Sequence, residues 1–199
     1  MARLTGKNIL IIIPKDYYNE QELDFLTHKF KEEEAKVYLA SSKLKEAVGM
    51  KNGRVKPDLL IVDSMEGITG DSYVTGGTGT RQIKGIFHGV VIIGGKGAKS
   101  YLWKDNLVRL LILDRHRSGF VVSAIGSAVP CLANAGLIDN IEVAAEENKY
   151  TLKAMEEAKV MISDDEVTCL DRVITGKGAS AVEPFAQAVI EAVEKTPHK

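Results

Sequence analysis

The sequence predicts an α/β fold: a single domain over residues 1–199 with a mostly parallel β-sheet and helices on both faces. Three observations lead there. Apolar runs of strand length alternate with amphipathic segments of helix length, the order that builds parallel sheets from βαβ units. Several runs, "ILIII", "VVIIGG" and "FVVSAI", are apolar at almost every position, as in strands buried on both faces. The chain's 199 residues suffice for one full hydrophobic core.

The elements follow in order. "NILIII" is the first strand, ended by Pro14. "NEQELDFLTHKFKEEE" is a helix, with Leu23, Leu26 and Phe30 along one face and the charges opposite. Asn19 is its expected N-cap, and Glu22, at the third helical position, completes a capping-box-like pair. "AKVYLAS" is the second strand and "PDLLIVD" a third apolar run. Residues 64–87, rich in Gly and Thr and without a sustained period, read as an inserted hairpin or a long loop.

"HGVVIIGG" is a strand running into glycines, and "SYLWKDNLVRLLILDRHRS" a helix with Leu102, Leu107, Leu110 and Leu111 inward. "GFVVSAI" is a buried strand, and "SAVPCLANAGL" a helix stopped by Gly136. Short strands are expected around Asp164-Asp165, and "AVEPFAQAVIEAVEK" closes the chain as an amphipathic helix. The turns after Ile93 and Ile125 lie at carboxyl ends of strands, where such sheets bind ligands.

Composition excludes several functions. A formal charge of −1 gives no global field for nucleic acid or an anionic membrane, so neither is an expected partner. No apolar run approaches membrane-spanning length, and the Ile9–Ile13 run is too short for a signal core. Two cysteines, Cys131 and Cys169, make neither a disulfide framework nor a zinc site and are expected reduced in the cytoplasm. The four histidines, His28, His88, His116 and His198, show no metal-ligand spacing. No metal and no cofactor is expected. Glu32, Glu33 and Glu34 read as a solvated helix face.

Two stretches invite chemistry. "GGKGAKS", residues 94–100, resembles a phosphate loop, but Ile93 and Ala98 stand where that motif needs glycine. "GGTGT", residues 76–80, lacks the strand-to-helix context. "VVSAIGSAVPCLANAGL" is a strand turning sharply into a helix, the setting of a nucleophile elbow. Gly126 at the bend accepts a strained conformation at little steric cost but has nothing to attack with. Ser127 is expected to cap the helix, with its hydroxyl pointing away from the bend. Cys131, one turn on, is expected buried and inert.

Taken together, "NEQELDFLTHKFKEEEAKVYLAS", "GVVIIGG", "VSAIGSAVPCLANAGLI" and "DRVITGKGASAVEPFAQAVIEAV" resemble the ThiJ/PfpI family of the class I glutamine-amidotransferase-like superfamily. The resemblance implies a flavodoxin-like sandwich and, as is common in the family, a homodimer or higher homo-oligomer. It puts Glu22 where the family keeps a glutamate beside its nucleophilic cysteine, and Gly126 on that cysteine. The Gly94-Gly95 loop, through Gly95, and Ser127 fall where backbone N–H groups form an oxyanion hole. The family's downstream histidine has no clear counterpart in "IEVAAEENKYTL". Family peptidase and glyoxalase chemistry needs a thiolate. The expectation is therefore a pseudoenzyme that binds a small molecule or serves a stress or chaperone-type role. The alternative is a hydrolase or glyoxalase-like enzyme using Glu22 and the elbow amides. Nucleotide binding through "GGKGAKS" ranks third.

Overall fold

The computed structural model describes residues 2–65, 68–76, 79–84 and 86–197, with side chains described outside residues 66–85. Seven strands form the central sheet. In chain order they are β1 (Asn8–Ile12), β2 (Lys36–Ser41), β3 (Leu59–Leu60), β4 (Gly89–Ile92), β5 (Val121–Ile125), β6 (Val167–Leu170) and β7 (Val173–Gly176). Their spatial order is β6-β7-β5-β4-β1-β2-β3, and every pair is parallel except β6 with β7. The helices are α1 (Glu20–Glu32), α2 (Ile61–Met65), α3 (Lys96–Tyr101), α4 (Asn106–Arg117), α5 (Pro130–Asn134), α6 (Lys149–Glu157) and α7 (Val182–Glu194).

The continuous apolar runs have the meaning expected of them. Successive residues of a strand point to opposite faces, so β1 serves two cores. Leu10 and Ile12 join Val90, Ile92 and Val122 beneath α4, α5 and α6, through Val108, Leu111, Leu132 and Met155. Ile9 and Ile11 join Val91, Val121 and Ile174 beneath α1 and α7, through Leu26, Phe30, Phe185 and Val189. Burying each such side chain stabilises the fold by about 1.5–3 kcal/mol, which makes both helical layers obligatory.

Several local expectations are corrected. "SYLWKDNLVRLLILDRHRS" forms two helices, because the Asp105 carboxylate accepts from the Leu107 and Val108 amides (2.8 and 3.2 Å) and starts α4 afresh. That restart resets the helical phase: Val108, Leu111 and Ile112 are buried, whereas Leu107 and Leu110 are exposed. "PDLLIVD" is a strand only at β3 before the chain turns into α2. As expected, short strands flank Asp164-Asp165: Met161–Ile162, which pairs with Glu142–Val143 outside the main sheet, and β6, which Asp171-Arg172 connects tightly to β7. Helix α6 was not read from the sequence, although Asn148 caps it through the Tyr150 and Thr151 amides. Between β3 and β4, Ile68–Gly76 and Gly79–Lys84 pair as an antiparallel ribbon. The stretch at 76–80 falls partly, and His198 wholly, outside the described residues.

Candidate functional site

Strands β1, β4, β5 and β7 end side by side, and three short segments meet there. The first, residues 14–19, links β1 to α1. Asn19 caps α1 as expected, its Oδ1 accepting from the Glu22 amide at 3.3 Å. The reciprocal half of the capping box is absent: Glu22 Oε1 accepts from the Asn19 side-chain amide (3.2 Å), while the Asn19 backbone N–H donates to Gly94 O (3.0 Å). Glu22 is thereby aimed inward and only 2% exposed.

The second segment is the glycine loop after β4. The Gly94 N–H donates to Glu22 Oε2 at 2.9 Å. Gly95 lies at φ +118°, and a Cβ there would sit 2.4 Å from Tyr17 O. A Cβ on Gly97 would sit 1.9 Å from Asp16 O. The glycines of "GGKGAKS" thus let two backbones touch, and no phosphate cradle is needed to account for them.

The third segment is the elbow. Ile125 is extended, Gly126 has φ +60°, and residues 126–128 form a 3₁₀ turn before α5. A Cβ on Gly126 would lie 2.9 Å from Glu22 Oε1, 3.5 Å from Gly178 Cα and 3.7 Å from Glu146 Oε2. The Ser127 hydroxyl does not cap the helix. It sits within the turn, accepting from the Gly95 N–H (2.9 Å) and donating to Gly95 O (3.0 Å). It therefore fastens the two loops together and occupies the Gly95 amide. The Trp103 indole N–H donates to Ser127 O at 2.7 Å, and the Asn134 side-chain amide to Trp103 O at 2.7 Å, tying α5 to the same cluster.

Burial is the main reason the Glu22 carboxyl is pushed up to about 8. The Gly94 N–H opposes that rise and the negative charge of Glu146 adds to it. Near neutrality Glu22 is mostly an uncharged acid, able to donate a hydrogen bond and poor as a base.

Above the elbow lies a cleft of about 560 Å³. Gly95 and Ser127 line it with Lys96 and Trp103 from the α3 region, Glu146 from the approach to α6 and Tyr150 from the first turn of α6. Met50 also reaches it, because Glu20 Oε1 accepts from the Lys51 and Gly53 amides (2.6 and 3.1 Å) and folds residues 49–53 against α1. Glu22, Gly94, Gly95, Gly126 and Ser127 are thus brought together. Glu146, Lys96, Trp103 and Tyr150 were missed: nothing in their sequence spacing brings residue 146 beside residue 126.

Neither thiol lines this cleft. Cys131 is 2% exposed with its thiol pushed well up by burial, and Cys169 is exposed on β6. His88 sits at the opposite end of the sheet, accepting from the Asn8 N–H at 3.0 Å. Among the described residues no helix is long and apolar enough to cross a membrane.

A mostly parallel sheet between two helical layers, with a glycine loop and an elbow at its strand ends, defines a flavodoxin-like α/β sandwich. The chain belongs to the DJ-1/PfpI family, whose model matches residues 7–192. An uncharacterised protein of Methanocaldococcus jannaschii is 26% identical over 190 residues, covering 96% of this chain and 83% of its own. Among solved structures, a ThiJ/PfpI domain protein of Brachyspira murdochii superposes with TM-score 0.79 at 22% identity, over 97% of this chain and 99% of that one. DJ-1beta of Drosophila melanogaster superposes with TM-score 0.73 at 19% identity, over 96% and 91%. These likenesses establish the shared fold.

Proposed function

We propose that this chain is a small-molecule-binding member of its family and that its elbow carries no nucleophile. One observation carries the reading. Gly126 occupies the left-handed bend at the elbow, and the group nearest its missing side chain is the buried Glu22 carboxyl, 2.9 Å away. Thiol chemistry has no thiol at the cleft. A Glu22 base is disfavoured at neutral pH because that carboxyl keeps its proton. What remains is a cleft with polar groups and two aromatic rings, the composition of a ligand site. The family resemblance alone carries the rest of the reading: a stress or chaperone-type role, in the cytoplasm, as a homodimer or larger assembly.

Two measurements test it. Turnover of glyoxals and of peptide or amide substrates is expected to be absent in the wild type and in Glu22→Gln. Robust wild-type turnover that vanishes in Glu22→Gln would instead establish the carboxyl as catalytic. In a thermal-shift screen of metabolites, compounds that stabilise the wild type should fail to stabilise Ser100→Trp, which fills the cleft from its exposed wall. Equal shifts in both proteins would place binding elsewhere and overturn the assignment.

A further inference from the structure

The two edges of the central sheet are built differently. At one edge β3 is only two residues long, and the chain turns at once into α2. Such a stub offers little template for another strand. At the other edge β6 runs for four residues, "VTCL", in unbroken register with β7 and with no proline, lysine or bulge. Those are the devices by which monomeric proteins guard an open edge. Thr168 Oγ1 accepts from the Ala144 N–H at 3.0 Å, which holds β6 from one face of the sheet.

The open groups can be assigned. The Lys177 N–H donates to Glu166 O at 2.9 Å, one step beyond the Val167–Gly176 pair. In an antiparallel ladder every second residue turns its N–H and C=O to the partner strand. Glu166, Thr168 and Leu170 therefore face β7, and Val167 and Cys169 turn their main-chain groups off the sheet. The Cys169 residue also lines a groove of about 470 Å³ with Ala188 and Ala192 of α7.

We propose that β6 is the edge on which a second copy of this chain docks, antiparallel, about a two-fold axis at Cys169. The proposal rests on the homo-oligomer reading above and gives that assembly its interface. Ladder bonds form only where outward residues stand opposite outward residues. The register centred on Cys169 lets that residue exchange both main-chain bonds with its own copy. It also brings Glu166, at the acidic start of one strand, to Arg172 at the end of the other, so opposite charges meet twice. A register centred on Thr168 would instead set Asp165 against Asp171.

An extended peptide would satisfy the same groups but leave its own outer edge open. A second copy closes both free edges at once, because the far edge of each sheet already ends in the β3 stub. Pairing uses main-chain groups and sets the two Cys169 side chains on one face of the joined sheet, their Cα atoms about 5.5 Å apart.

Sedimentation velocity of the intact protein across the micromolar range tests this, and should show a dimer. A short bismaleimide should link its two chains, and Cys169→Ser should abolish the link while leaving the dimer. Cys169→Pro removes the outward donor at an edge position that tolerates proline, and should give a folded monomer. Glu166→Arg, at an exposed position, should weaken the dimer about tenfold, and adding Arg172→Glu should restore it. If Cys169→Pro does not fold, Glu166→Arg and the double variant decide. A dimer that the bismaleimide does not link, or that these variants leave unweakened, would overturn the interface while the assembly stands on another face. A monomeric wild type would overturn both and leave the edge to an extended peptide.

Discussion

Glu22 is where sequence and structure agree on position and differ on consequence. As the third residue of α1 it is an ordinary capping partner, and its pairing with Asn19 was legible. Its near-complete burial against Gly94 and Gly126 depends on loops more than 70 residues away and has no local signature. The cost of that burial is measurable. The folded carboxyl holds its proton up to about 8, against an ordinary 4.5. Between those values the folded state binds more protons than the unfolded one, so stability falls as pH rises through that window. Glu22→Gln keeps an acceptor for the Gly94 N–H and removes the ionisation. Urea unfolding should show the two proteins nearly equal at pH 4.5, with Glu22→Gln more stable by a few kcal/mol at pH 8.5. Parallel pH dependences would show that Glu22 is not buried as an acid.

The glycine loop after β4 shows what patterning conveys and what it leaves out. The strands were legible because a doubly covered parallel sheet requires unbroken apolar runs, and "ILIII" and "VVIIGG" supply them. Helix boundaries were less legible. The α3–α4 break depends on Asp105 capping and on Trp103 reaching Ser127, a contact across 24 residues. The reason for Gly95 and Gly97 was also hidden, because it lies in residues 14–19 and not in the loop. That makes it testable. Gly97→Ala would drive a methyl against Asp16 O, backbone that cannot yield without moving the segment ending at Asn19. A loss of about 2–3 kcal/mol is expected, together with weakened binding in the cleft. Gly119→Ala is the control: at φ +86° with open space around it, it should cost about 1 kcal/mol and leave the cleft unaffected. If Gly97→Ala behaved like this control, the close packing of the two loops would be wrong.

The two thiols report on the molecule as a whole, because they sit at opposite extremes of its packing. Cys131 lies on α5 within the core beneath one face of the sheet, and Cys169 is exposed on the antiparallel strand β6. Burial raises the thiol of Cys131 far above the range in which thiolates form, and the exposed Cys169 is raised too, first by partial burial and then by Glu191. In native buffer a disulfide reagent should therefore modify one cysteine per chain, and Cys169→Ser should abolish that reaction. Modification of Cys131 should require opening of the core. Its dependence on urea should match that of global unfolding, since a residue shared by helices and sheet has no cheaper route to solvent. The comparison also bears on function. Rapid native labelling of Cys131 would mean that the elbow helix opens locally and can bring a thiol toward Gly126, which would reopen nucleophilic chemistry. Labelling limited by global unfolding leaves the elbow without a thiol under every condition in which the protein is folded, and the cleft above it as a place for binding.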